Sequence, residues 1–255
     1  MQIALELFCG VIIGFTLGLI GGGGSILAVP LMVYVVGVKN PHVAIGTSAM
    51  AVAVNALAGL VSHARQKTVK WRCAAVFAPF GVVGALVGAA LGKAVDGQKL
   101  LLCFAVLMIV VGILMLRGRR NPGIAGAACN RGQAPKCFAG GAASGLLSGL
   151  FWIVGVFLFV PWLVSFTRMP ILDAIRTSLV AVAAFGASTA LSYMLSGYVD
   201  WTMGALFVFG GVVGSALGTS AARRLAGAGG TLTTFFACVI FVVATYMIWR
   251  SLTAI

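Results

Sequence analysis

AIGTSAMAVAVNALAGLVSH, residues 44–63, returns 130 residues later without a gap as AIRTSLVAVAAFGASTALSY, residues 174–193. The register carries on through Val69/Val199, Trp71/Trp201, Gly81/Gly211, Gly84/Gly214, Gly88/Gly218 and Gly97/Gly227, and upstream Pro30 falls on Pro161 with one residue of slippage. Shared Thr, Ser, Trp and Gly positions are not what a bias toward apolar residues generates, so the chain is a duplicated unit. Between the copies, RGRRNPGIAGAACNRGQAPK (residues 117–136) carries five cations together with Gly and Pro. It reads as a linker, 117–137, joining a first repeat, 1–116, to a second, 138–255.

Around that repeat the chain is 61% hydrophobic and 8% charged, with a mean hydropathy of +1.13, where a soluble domain is about 25% charged. Apolar segments run over 3–20, 25–38, 43–64, 73–92, 99–116, 138–152, 154–167, 171–195, 203–222 and 231–249. Most are long enough for helices crossing a hydrocarbon core that needs about 20 apolar residues, and the alternation of a lipid-facing barrel is absent. The fold class is therefore all-α, polytopic and membrane-spanning. Segment 25–38 reaches only about 21 Å at ~1.5 Å per residue. It is expected to form half of a broken or re-entrant pair with 3–20, and 138–152 with 154–167 is the matching pair. Each repeat then holds one such pair and about three full transmembrane helices.

The net charge of +13 suggests nucleic acid in a soluble protein, but here the cations cluster in short loops, where the positive-inside rule accounts for them. No nucleotide-binding or nucleic-acid-binding pattern is present. The six cysteines have no metal-ligand spacing, so neither a metal nor another cofactor is expected. The start, MQIALELFCG, lacks the cationic region of a signal peptide and reads as a mature beginning.

Charge also orients the copies. ARQKTVKWR in the first half carries Arg65, Lys67, Lys70 and Arg72, whereas its counterpart LSGYVDWT has no cation and contains Asp200. Equivalent loops therefore lie on opposite sides, and the two repeats are expected to be inverted in topology. With the Arg65–Arg72 loop in the cytoplasm, the central linker, Arg168, Arg223 and Arg224 join it. Lys39, Lys93, Lys99, Arg250 and both termini then fall outside.

Such an architecture binds its substrate near mid-membrane, where broken helices meet. Carboxylates are nearly absent from the apolar segments, which argues against a cation carrier or proton relay. Instead glycine is followed by hydroxyls: Gly21, Gly22, Gly23 and Gly24 with Ser25, and Gly46 with Thr47 and Ser48. Free N–H groups at helix N-termini form an anion site without a charged side chain. The duller readings are close packing or a turn for the glycines and bonds to helix carbonyls for the hydroxyls. Asn55 is either a substrate contact or a structural clamp. The spaced glycines Gly84, Gly88, Gly92, Gly210, Gly214 and Gly218 follow the every-fourth pattern of helix packing.

GLIGGGGSILAVPLMVYVVGV, PHVAIGTSAMAVAVNALAGLVSH and VKWRCA, with GLLSGLF, FTRMPILDAI and TSLV in the second half, resemble the TauE/SafE family, the sulfite exporter or toluene-sulfonate uptake group. The resemblance covers essentially the whole chain. It implies a bacterial or archaeal inner-membrane transporter of two related halves, without enzymatic activity. The implied substrates are sulfite, organosulfonates such as sulfoacetate, or related sulfur oxyanions, often in export. The chain departs from the family in the second half. WIVGVFL, from Trp152, stands where a glycine-rich motif is usual, Arg176 replaces the glycine of the GTS motif, and Phe185 faces Asn55 in the register. An Arg near mid-membrane costs about 2.5–3.5 kcal/mol on insertion scales, so it needs a partner, either Asp173 or a bound anion, for which guanidinium geometry is suited.

The expected substrate-binding set is therefore Gly22, Gly23, Gly24, Ser25, Gly46, Thr47, Ser48, Asn55, Arg176, Thr177 and Ser178, with His63, Asp173 and Trp152 as candidates for coupling or gating. A secondary carrier in which one half rocks against the other is the leading reading. An anion channel, or a non-transporting membrane assembly with a degraded site, stays open, as does a homodimer. The bilayer and a small anion are the expected partners.

Overall fold

The computed structural model describes residues 2–20, 26–65, 70–117, 134–151, 171–224 and 229–253, and every element among them is helical. They are α1 (Gln2–Ile20), α2 (Ala28–Pro30) running into a π-helix (Leu31–Val36), α3 (Pro41–Arg65), α4 (Trp71–Ala94), α5 (Gly97–Arg117), α6 (Ala134–Phe151), α7 (Ile171–Leu195), α8 (Trp201–Arg224) and α9 (Gly229–Thr253). Five of these, α3, α4, α5, α7 and α8, hold apolar windows long enough to cross a membrane. The expected all-α, multi-pass class is thus observed. α6 begins inside the last residues of the expected linker, whose middle, like the expected segment 154–167, lies outside the described residues.

The helices extend past the apolar segments because polar residues cap them. Asn40 Oδ1 accepts the His42 N–H at 2.9 Å, Asp96 Oδ1 accepts that of Gln98 at 2.8 Å, and Asp200 Oδ1 accepts that of Met203 at 3.0 Å. Each is an N-cap, the first with Pro41 at the opening helical position where its missing N–H is harmless. α7 ends in a Schellman turn, with Tyr198 N–H on Tyr193 O, Gly197 N–H on Met194 O, and Gly197 at φ +74°.

Helix 26–36 changes character at Pro30, whose ring displaces the carbonyl one turn back, and continues as a π-helix until Gly37 at φ +86°. Its eleven residues span about 16 Å, roughly half of a ~30 Å hydrocarbon core. The run ends at the Pro41 end of the bundle, where Gly37 leads to Asn40 and the opening of α3.

Every extensive helix–helix interface among the described elements joins the first half of the chain to the second: α1 with α8, α4 with α6, α3 with α7, α5 with α9, α4 with α7, and α3 with α8. Exchanging the halves maps this set onto itself. α1 and α8 run parallel, with Gly10 against Phe207 and Gly210, Gly14 against Gly211, and Gly214 against Val11 and Phe15. α4 and α6 repeat the arrangement, with Gly141 against Phe77, Gly145 against Gly81, and Gly84 against Ala142 and Leu146. A Cβ at Gly84 would sit 2.6 Å from the Ala142 carbonyl oxygen, so these glycines let backbones touch. The packing role expected of Gly84, Gly88, Gly210 and Gly214 is observed.

α3 and α7 form the axis, antiparallel to one another. Gly46, near the start of α3, meets Tyr193 and Tyr198 at the end of α7, while Gly59 lies 3.8 Å, as a Cβ, from Leu179 near the start of α7. Their apolar windows are 61% and 56% buried, against 39% for each of α4, α5 and α8, so this pair is shielded from lipid.

Candidate functional site

The axis is lined with polar side chains. Thr47, Ser48, Thr177, Ser178 and Thr189 are fully buried and Asn55 is 4% exposed. Two of these hydroxyls make reciprocal contacts between halves. Thr47 Oγ1 accepts the backbone N–H of Asp200, just before α8, at 3.0 Å, and Thr177 Oγ1 accepts that of Lys70, just before α4, at 3.3 Å. Thr47 and Thr177, like Asp200 and Lys70, are 130 residues apart, so one clasp is made twice. Ser48 turns back to the Ile45 carbonyl at 2.9 Å, the ordinary use of a helical serine.

The GTS and RTS motifs do not meet. Thr47 stands at the end of the axis where α7 finishes, and Thr177 at the end where α3 finishes, about 20 Å away at ~1.5 Å per residue. Gly46 is explained by packing, since a Cβ there would press on Tyr198 and lie 2.9 Å from Tyr193 Cβ. Asp173 and Arg176 are in the first turns of α7 and His63 in the last turn of α3; their side chains lie outside the described part of the structure. Gly22, Gly23, Gly24, Ser25 and Trp152 also lie outside the described residues.

Midway along the axis, Asn55 lies against Gly211, where a Cβ would collide with its amide, and its Oδ1 is buried with no hydrogen-bond partner. The register counterpart of this pair is Phe185 against Gly81. The Phe185 ring is fully buried and stacks on Phe77 with centroids 6.1 Å apart. A polar amide in one half thus corresponds to a phenyl plug in the other, as the substitution of Phe185 for Asn55 in the register implies.

At the Pro41 end, Lys93 Nζ on α4 donates to Ser192 O, Ser192 Oγ and Ser196 Oγ at 2.9–3.0 Å and lies 5.9 Å from the centroid of the Tyr193 ring. His42 and Tyr198 pack beside Tyr193. Lys93 was legible only as a loop cation; that its chain reaches across to α7 depends on α4 and α7 ending together. Two further residues escape the sequence reading. Thr189 is buried on α7 with an unpartnered hydroxyl, and its register counterpart is Gly59, which carries no polar signal. Glu6, near the start of α1, is 8% exposed. Among the described residues no three His, Cys, Asp or Glu side chains gather as a metal site would require.

Apolar spans around a shielded polar pair define a polytopic helical membrane protein. The chain belongs to the TauE/SafE family, whose model, described as sulfite exporter TauE/SafE, matches residues 6–247. It is 48% identical over 243 residues to a probable membrane transporter protein of Xylella fastidiosa strain Temecula1, covering 95% of this chain and 93% of that one. It is 27% identical over 246 residues to the probable membrane transporter protein YunE of Bacillus subtilis, covering 88% and 90%. A probable membrane transporter protein of Methanocaldococcus jannaschii, MJ0441, is 24% identical over 74% of each chain. No solved structure matches significantly. By family the chain is a multi-pass membrane transporter.

Proposed function

We propose that the chain is a secondary carrier for a small sulfur-containing oxyanion, sulfite or an organosulfonate, working by alternating access between two inverted repeats in a bacterial or archaeal inner membrane. The observation that carries this reading is the buried, unpartnered amide oxygen of Asn55 on α3, together with the short helical run, described from Ile26, that packs on α3. N–H groups at a helix start favour negative charge, and an amide can turn its NH2 toward the same point. The glycine stretch Gly21–Gly24 with Ser25 immediately precedes that start. The antiparallel α3/α7 axis and the reciprocal Thr clasps support the inverted repeat. The family description supports sulfite as cargo and export as direction.

Because α1 packs on α8 and α4 on α6, the moving bodies are pairs drawn from both halves, not the sequence halves themselves. The Lys93 clasp between α4 and α7 holds the Pro41 end closed in this state, and the cytoplasmic side is the one bearing the linker. Arg176, near the start of α7 at the opposite end of the axis, adds a cation toward that side for an anion.

Purified protein in liposomes should move sulfite or a sulfonate with saturable kinetics, and Asn55→Ala should raise KM at least several-fold while leaving the protein folded. Flux no higher than in empty liposomes across sulfite, sulfonate, thiosulfate and sulfate would sink the carrier reading. Flux linear in concentration would turn it into a channel.

A further inference from the structure

At the Pro41 end, away from the axis, a cavity of about 200 Å³ opens between four elements. Val33 and Tyr34 of the π-helix, Leu101 of α5 and Pro41 form its apolar side, while Lys39, Gln98, Arg250 and Ser251 supply the polar groups. Lys39 follows the π-helix, Gln98 opens α5, and Arg250 and Ser251 close α9. Two cations from separate elements thus share one hollow.

Ser251 is the telling residue. Several helical hydroxyls in this chain return to a carbonyl one turn back: Thr16 to Ile12, Ser144 to Gly140, Ser188 to Ala184 and Thr245 to Phe241. Ser251 is 3% exposed, yet its Oγ has no partner and it lines the cavity. Unlike Thr189, this buried and unpartnered hydroxyl lines a cavity, where it is available to a ligand.

Asp96 precedes Gln98, but its Oδ1 is occupied as the α5 cap, and Lys99 adds a third cation on the same turn. The register counterparts of Lys39 are Met169 or, with the upstream slippage, Pro170. The hollow is therefore not a by-product of the duplication.

We infer that this cavity is an oxyanion site on the membrane surface, separate from the transport site, taking a tetrahedral phosphate-type group. The group comes either from the phosphodiester of an anionic lipid or from a free anion in solution. Lys39 and Arg250 supply the charge, Ser251 and Gln98 the oriented donors, and the Val33–Leu101 wall covers the apolar neighbour of a lipid headgroup. The volume is several times the ~30 Å³ share of one water, enough for such a group with part of its hydration.

The test is thermal unfolding of the detergent-purified full chain. One series adds phosphatidylglycerol or phosphatidylcholine to the micelles, and another adds inorganic phosphate. A saturable rise in Tm is expected from phosphatidylglycerol or from phosphate and not from phosphatidylcholine. Its midpoint should weaken at least threefold in Arg250→Gln, in Lys39→Gln and in the milder Ser251→Ala. Lys99→Gln and Asn55→Ala should keep the wild-type midpoint. A response to phosphatidylglycerol alone identifies a lipid site, and one to phosphate a soluble anion. Absence of any saturable rise overturns the site, as does a wild-type midpoint in all three pocket variants. So does equal weakening in Lys99→Gln, which means diffuse charge, or loss of the effect in Asn55→Ala, which means the transport site.

Discussion

Thr47 and Thr177 illustrate how one hydroxyl can tie together parts of a chain that hydropathy cannot connect. Each accepts an N–H that no helix satisfies, from a residue 153 positions away in one case and 107 in the other. Leaving such a donor unmet costs about 1–3 kcal/mol when buried, and interhelical polar contacts in membranes average nearer ~0.6 kcal/mol. Because Asp200 and Lys70 keep some exposure, the lower part of that range applies. Thr47→Val should lower the unfolding temperature of the purified protein by an amount corresponding to about 1 kcal/mol, Thr177→Val by less because its bond is longer, and Thr47→Ser hardly at all. No loss in Thr47→Val together with a loss in Thr47→Ser would show that the methyl group matters and the clasp does not. That these threonines are buried was legible, since a hydroxyl in a long apolar run has few places to go. Their partners were not legible, because the partner is fixed by how α3 meets α8 and α7 meets α4, which no local pattern encodes. The Asn55/Phe185 contrast was visible in the register; that both press on equivalent glycines, Gly211 and Gly81, required the packing.

At the scale of elements, apolar runs located the described helices, but their ends follow different rules. The run beginning at residue 43 became a helix from Pro41, and those from 99 and 203 became helices from Gly97 and Trp201. Asn40, Asp96 and Asp200 each offer a side-chain acceptor that hydropathy scores as a break and the helix uses as a cap. Lys70 occupies the register position of Asp200 and caps nothing with its side chain, a place where loop charge has overridden helix chemistry. Asp200→Ala should therefore destabilise the protein by about 1 kcal/mol, read as a fall in unfolding temperature, while Lys70→Ala should leave it nearly unchanged. A larger fall for Lys70→Ala would mean that the Lys70 side chain has a structural role of its own. Helix 26–36 was expected to fall short of a full span, and it does. Its π-helical second half was not foreseen, since Pro30 signals a disturbance but not the form it takes.

For the molecule as a whole, the duplication was written in the 130-residue register, whereas the manner in which the copies join was not. A two-part sequence invites a picture of two bundles side by side. Instead the glycine faces of α1 and α4 find their complements, α8 and α6, in the other copy. Every extensive interface among the described helices crosses between halves, so the described helices of either half pack little on one another. Cutting the chain within 118–133 and expressing residues 1–117 and 134–255 together should give fragments that purify as a complex, and each expressed singly should be degraded or aggregate. Recovery of either fragment as a stable monodisperse species would contradict this interlock.

The same interlock sets an order on biosynthesis. Gly211 is made about 200 residues after Gly14, a delay of about 10 to 40 seconds at ~5–20 residues per second. Through that interval α1 stands in the bilayer with a bare glycine face and with Glu6 lacking its final surroundings. α4 waits a shorter time for α6. The nascent first half is thus an open zipper, vulnerable to proteolysis or to pairing with another unfinished chain, and the second half closes it as it is made: α4 by α6 first, then α3 by α7, α1 by α8, and α5 by α9 last.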